Sequence, residues 1–198
     1  MKNRGEKIKV WDPFVRIFHW CVVSLFFCNY LLSDRGMWFE RGNTLHRYAG
    51  YIVIGFVLAR LIWGIIGTKN ARFANFIPRP KEFVVYMKAL LRGEHLYYEG
   101  HNPAGAVMIV FLLCGLLATG LTGWLSTLGD VFDGWQASVA AATDFVDWGD
   151  VHEVFANLTM LAAGIHITAV VVVSHMTREN LVHSMLSGYK YKPNNDQK

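Results

Sequence analysis

The stretch Val151–Ser174 reads VHEVFANLTMLAAGIHITAVVVVS, and its two histidines decide how the chain is read. His152 and His166 are fourteen residues apart. That is close to four α-helical turns, so both rings point to nearly the same face, about 21 Å apart along the axis. Such a separation puts one ring near each surface of a hydrocarbon layer about 30 Å thick. An unsatisfied polar group in lipid costs several kcal/mol, so imidazoles there need a reason. Two stacked metal or haem centres supply one.

Three further stretches resemble this one in length and polarity. The four are residues 13–33, 45–67, 104–128 and 151–174, each near the twenty or so residues that a membrane span requires. The third has no charged residue, the second holds Arg47 and Arg60, and the fourth holds Glu153 near its start. The chain as a whole agrees: 53% of its 198 residues are hydrophobic and 17% charged. Soluble domains carry about 25% charge, so the balance is that of a membrane protein. The first apolar run starts late, is span-length and has no small-residue cleavage pattern after it, so it reads as a span rather than a signal peptide.

Net charge is +4, and its placement is more informative than its size. Lys2, Arg4, Lys7, Lys9 and Arg16 precede or open the first span. Lys69, Arg72, Arg79, Lys81, Lys88 and Arg92 fill the second connection, and Arg178, Lys190, Lys192 and Lys198 follow the fourth span. The last connection instead carries Asp130, Asp133, Asp144, Asp147 and Asp150 with no Lys or Arg. The positive-inside rule then puts both termini in the cytoplasm. Basic loops flanking spans also account for the charge without any nucleic acid partner.

These observations predict an all-α, integral membrane four-helix bundle, up-down-up-down, as one domain over residues 10–189 with a polar, disordered tail over 190–198. Pro78 and Pro80 open a segment in which Phe83, Met87, Leu90 and Leu91 share one face and Lys81, Lys88 and Arg92 another. It reads as a short interfacial helix between spans two and three. Asn102–Pro103 supplies a cap and a first-turn proline for the third span. Phe132, Trp135, Phe145 and Trp148 in the acidic outer connection read as interfacial anchors or as a docking surface. Cys21, Cys28 and Cys114 all lie within spans. With no C-x-x-C-H or C-x-x-C pattern, they read as small packing residues.

Sorting the histidines by depth gives two pairs. His19 lies about 9 Å inside the cytoplasmic end of span one, and His166 about 12 Å inside that of span four. At the outer side, His46 opens span two and His152 opens span four. Two depth-matched pairs from three helices are what bis-histidine haem b requires, one axial imidazole from each side of a flat macrocycle. Structural zinc wants four ligands together. His152–Glu153 also fails the H-E-x-x-H template, because Ala156 stands where the second histidine belongs. His175 is too far along its helix to share the core. His95, His101 and His183 fall in loops or near the surface, and none of these is assigned to metal.

Gly50, Gly164, Gly115, Gly120 and Gly123 lie beside or between the ligand positions, where they admit a macrocycle or simply pack helices closely. Arg47 at the outer level, and Arg16 and Arg60 at the inner one, are candidates to pair with haem propionates; snorkelling to headgroups is the competing reading.

The order and spacing of several motifs carry a family resemblance. They are Trp11-Asp12 before His19-Trp20, His46-Arg47-Tyr48-Ala49-Gly50, Arg60 with Trp63-Gly64, and Gly100-His101-Asn102-Pro103-Ala104-Gly105. Thr119-Gly120, Thr122-Gly123, His152-Glu153 and Gly164-Ile165-His166 complete the set. From about Val10 to Tyr189 the chain resembles the bacterial cytochrome b561 family, which includes the b-type cytochrome subunits of membrane-bound nickel–iron hydrogenases. The resemblance implies a di-haem protein with ligands at His19, His46, His152 and His166. It also implies electron transfer between the quinone pool and an outer partner, a hydrogenase or a c-type cytochrome.

The leading expectation is therefore a transmembrane electron carrier in which the protein supplies ligands, a dry surround and charge. The alternative is a membrane oxidoreductase acting directly on a small substrate such as superoxide with quinone as co-substrate. A non-redox scaffold or metal transporter leaves the paired depths unexplained.

Overall fold

A computed structural model describes residues 6–33, 39–94, 98–128, 139 and 146–191. The elements run β1 (Lys7–Lys9), α1 (Pro13–Ser33), α2 (Phe39–Ile66), α3 (Phe73–Phe76), α4 (Pro80–Leu91), α5 (Pro103–Leu125), α6 (Trp148–Thr177), α7 (Leu181–Ser187) and β2 (Tyr189–Tyr191). The chain is all-α apart from the strand pair. Four helices, α1, α2, α5 and α6, are long and apolar enough to cross a membrane. Large apolar side chains such as Ile62, Phe111, Leu161 and Val171 stay exposed on them, as lipid-facing residues do.

Local chemistry sets where these helices begin. Asp12 precedes Pro13, and its Oδ1 accepts the Val15 N–H at 3.0 Å, capping α1. Asn102 precedes Pro103 and does the same for Gly105 at 2.7 Å. Asp147 accepts from Gly149 and Asp150 at 2.9 and 3.2 Å, which starts α6 at Trp148, three residues before the expected span. The interfacial segment is helical as predicted, but its inward side is Tyr86 and Ala89, while Leu91 is 83% exposed rather than aligned with Phe83.

The chain divides into two compact units. The first comprises Met1–His19, Arg60–Val110 and Gly164–Lys198; the second comprises Trp20–Ala59 and Phe111–Ala163.

In the first unit, β1 pairs antiparallel with β2, Ile8 opposite Lys190. The tail expected from Lys190 onward therefore begins as a strand, and Lys190 and Tyr191 are ordered. Lys190 is buried. Its ammonium donates to the Tyr98 and Gly100 carbonyls at 3.4 and 3.3 Å and lies 3.8 Å from Glu179. Residues 192–198 lie outside the described residues. Gly188 links α7 to β2 with φ +88°, and a Cβ there would sit 2.9 Å from the Trp11 carbonyl, so both backbone and space require glycine.

Asp12 ties this unit together. Beyond the α1 cap, its carboxylate accepts from Thr68 Oγ1 at 2.7 Å and Trp63 Nε1 at 3.2 Å. Burial opposes its charge, but the bonds from Thr68, Val15, Trp63 and Phe14 outweigh that and hold its pKa below the usual carboxylate value.

The second unit packs through small residues. Cβ atoms on Gly115 and Gly120 would lie 2.7 Å from Thr159 Oγ1 and 2.0 Å from Ile54 Cδ1, so these glycines permit close helix approach. Val53, Val57, Leu113 and Leu116 complete its core. Of the outer-connection residues, Asp130, Phe132, Asp133, Trp135, Asp144 and Phe145 lie outside the described residues.

Asp12→Ala strands the Trp63 and Thr68 donors and removes the cap, so it is expected to cost about 2–3 kcal/mol. Thermal unfolding of the detergent-solubilised protein measures this, and an unchanged melting temperature would contradict it.

Candidate functional site

In the second unit, α2 and α6 bring His46 and His152 together. Their ring centroids are 5.9 Å apart and their planes nearly perpendicular at 84°. The rings border a cavity of about 740 Å³, within the range of ligand sites, whose wall also includes Arg47, Gly50, Gly120 and Gly123. His152 Nδ1 lies 2.8 Å from the Thr119 carbonyl of α5. Only a protonated Nδ1 can make that bond, so the neutral ring keeps its lone pair on Nε2. Thr119 also meets Thr159 through their hydroxyls at 3.3 Å, which fixes α5 against α6 at this level.

Two glycines shape the wall differently. A Cβ on Gly123 would come within 2.9 Å of both Cε1 and Nδ1 of His152, so the ring lies directly on the α5 backbone. A Cβ on Gly50 would meet only Asn29 Nδ2, at 3.9 Å. Asn29 was not singled out in the sequence, yet its carboxamide donates to the His46 carbonyl at 3.0 Å.

The first unit holds His19 and His166, both half-buried and within electrostatic range of each other. Arg16 and Arg60 belong to the same unit but have different surroundings. Arg16 donates to the Leu186 carbonyl at the end of α7, where a cation also meets the negative end of the helix. Arg60 is only 3% exposed. One of its guanidinium nitrogens donates to the Ala71 carbonyl at 3.1 Å, and the group lies over the Phe73 ring at 5.0 Å. Its Nη1 is buried without a partner. Gly64 makes room for that Phe73 ring, since a Cβ there would overlap it at 2.0 Å.

His101 departs from the surface placement expected of it. Its ring is held between Trp11 and Phe76, at 4.5 and 4.6 Å, and its Nδ1 is buried without a partner. Burial first, then the positive charge of Arg60, Lys190 and His166, pushes its pKa down to about 3. The Gly-His-Asn-Pro run identified a loop, but the enclosing rings come from segments distant in sequence. His175 and His183 are exposed, and His95 lies outside the described residues. Among the described residues, no three His, Cys, Asp or Glu side chains form a metal-ion cluster.

Four apolar helices of spanning length, carrying half-buried histidines, define a multi-pass α-helical membrane protein. Residues 10–188 match the prokaryotic cytochrome b561 family. A protein of Rhodobacter capsulatus named "Probable Ni/Fe-hydrogenase B-type cytochrome subunit" is 26% identical, over 95% of this chain and 83% of its own. Proteins of the same name from Bradyrhizobium diazoefficiens and Rhizobium leguminosarum bv. viciae are 26% and 24% identical, over 91% and 92% of this chain and 85% and 88% of theirs. No solved structure matches significantly. The chain belongs to the prokaryotic cytochrome b561 family, and is a b-type cytochrome that transfers electrons in a bacterial membrane on haem b.

His101→Phe keeps the ring sandwich and removes the titrating group. A histidine held below its unfolded value destabilises the fold only where the unfolded chain binds a proton. Its penalty is therefore absent above about pH 6.5 and grows as pH falls towards 3, by up to about tenfold in the folding equilibrium per unit. The wild-type melting temperature is expected to fall more steeply than that of the variant across this window. Parallel curves would show that His101 is not buried in its neutral form.

Proposed function

We propose that the chain is a transmembrane di-haem b cytochrome carrying electrons between the quinone pool and a redox partner at the outer face. The observation that carries this reading is the His46–His152 pair. Two imidazoles that held one metal ion between them through bonds of about 2 Å would have ring centres roughly 6 Å apart, and these lie at 5.9 Å. The residues fit the group in three further ways. The adjoining cavity is of ligand size, the Gly50 wall is open, and the Thr119 carbonyl leaves His152 Nε2 free to bind iron.

In this reading His46 and His152 would hold the outer haem, and His19 and His166 the inner one. The haems supply reversible one-electron chemistry when bound. The chain's residues hold them, exclude water and set charge around them. Arg47, lining the outer cavity, and Arg60, with its uncommitted Nη1, are assigned to haem carboxylates. Arg16 takes the same role for the inner haem through whatever its bond to Leu186 leaves available. The cytochrome domain runs over residues 10–189 of an inner-membrane protein with both termini in the cytoplasm, as its basic connections favour.

Quinone dissolved among the apolar helices would exchange electrons at the site that His19 and His166 would build. The partner would dock at the His46–His152 end, and the names of the relatives favour a hydrogenase over a c-type cytochrome there. The acidic outer connection then meets a basic docking face, so association weakens as salt rises.

Purified protein is expected to show two low-spin haem b per chain. His46→Ala and His152→Ala should each remove the outer centre, and His19→Ala and His166→Ala the inner one, by pyridine haemochrome quantitation. Two haems retained in every variant would overturn the assignment.

Gly123→Ala tests the outer site without touching a ligand. Its methyl would meet the His152 ring at 2.9 Å, a clash of the kind that costs about 1–3 kcal/mol when relieved. Outer-haem occupancy should drop while the inner centre persists; full occupancy with an unaltered spectrum would show that the ring does not need this glycine.

A further inference from the structure

The two outer histidines differ in what holds their second nitrogen. A histidine that binds iron through Nε2 must carry its proton on Nδ1, and that N–H needs an acceptor to fix the ring. For His152 the acceptor is the Thr119 carbonyl at 2.8 Å. His46 Nδ1 is buried and makes no hydrogen bond of normal geometry.

The acceptors beside it belong to one residue. The His46 ring faces the main-chain carbonyl of Asn29. The Asn29 carboxamide is anchored by donating to His46's own carbonyl at 3.0 Å, and its Oδ1 is itself buried without a donor. A buried acceptor on Asn29 and a buried donor on His46 thus lie on two residues already joined by a hydrogen bond, both shielded from solvent. Each costs free energy while unpaired, and pairing the two would satisfy both. The carboxamide also lies beside Gly50, one turn after His46, where a Cβ would meet its Nδ2 in ordinary contact at 3.9 Å.

We infer that Asn29 is the positioning residue of the outer haem's His46 ligand: its carboxamide N–H holds the α2 backbone, and its carboxamide oxygen would accept the Nδ1–H hydrogen bond when Nε2 holds iron. The inference rests on the ligand assignment proposed above. Carbonyl-type acceptors then orient both outer rings, one from α5 and one from α1.

Asn29→Leu keeps the approximate shape and removes the carboxamide. It is expected to weaken haem binding at the outer site by about 10–100-fold, the usual effect of deleting a partner behind a metal ligand. It should also move the low-spin electron paramagnetic resonance signal and the midpoint potential of the outer haem, leaving the inner haem unchanged. Asn29→Asp retains an acceptor and, being anionic, makes the imidazole a stronger donor to iron. It should restore occupancy and lower the outer potential relative to wild type.

A merely structural asparagine would weaken both centres together, or lower stability with the two signals in place; either result overturns the inference. So would wild-type signals and potentials in Asn29→Leu. Should that variant fail to insert, Asn29→Asp decides alone, because an unshifted outer potential in it counts against Asn29. His46→Ala separates the two levels of argument. If it leaves both haems bound, the ligand assignment itself is lost. If it removes one haem while the Asn29 variants are silent, only the role of Asn29 is.

Discussion

The bond from His152 Nδ1 to the Thr119 carbonyl is the constraint on which the geometry of the His46–His152 site depends. It commits the ring to one tautomer and one orientation, and it draws the donor from α6 and the acceptor from α5. A carbonyl inside a helix normally accepts from the residue four positions on, so Thr119 serves here through its second lone pair. The ring can reach it because Gly123, one turn on, has no side chain to intervene. A span with no candidate ligand of its own therefore still shapes the ligand geometry, through one carbonyl and one missing methyl.

The first unit solves a different problem, the burial of charge. Asp12, Arg60 and Lys190 are 8%, 3% and 8% exposed, and an isolated ion in such surroundings would be strongly disfavoured. Asp12 is satisfied by an amide, an indole and a hydroxyl. Lys190 is satisfied by two carbonyls and Glu179, which ties β2 to the segment ahead of α5. Neither arrangement depends on a prosthetic group. Arg60 differs, since a carbonyl and an aromatic face leave one nitrogen without a partner.

Legibility in the sequence tracked how local each interaction is. The start of α1 at Pro13 and of α5 at Pro103 was readable because cap and proline lie within three residues of the bonds they make. The four spans were readable from composition and length, and the His46–His152 encounter from helical depth. Lys190 and Tyr191 read as a polar tail because their partner strand, Lys7–Lys9, lies at the far end of the chain. His101 read as a loop residue because Trp11 and Phe76, which enclose it, come from other segments. Asn29 carried no signal at all. One asparagine in an apolar run has no period or motif, and its meaning appears only once His46 stands beside it.

The three arginines show how a shared residue type divides by surroundings. Depth along the spans made all three candidates for anionic groups, and Arg60 the most suggestive because it lies deepest within a span. Arg16 is partly committed, because the end of α7 presents carbonyls that no helix residue satisfies, and a cation there is stabilised by the helix dipole as well. Arg47 lines the outer cavity, where any carboxylate would be partly solvated and the attraction correspondingly modest. Arg60 is the case in which burial changes the magnitude. With little water to compete, its unpaired Nη1 gains most from an anion and loses most without one. On the proposed reading, the chain thus keeps its strongest unspent electrostatic interaction in the unit that holds the inner pair of histidines, where it would attract a cofactor carboxylate.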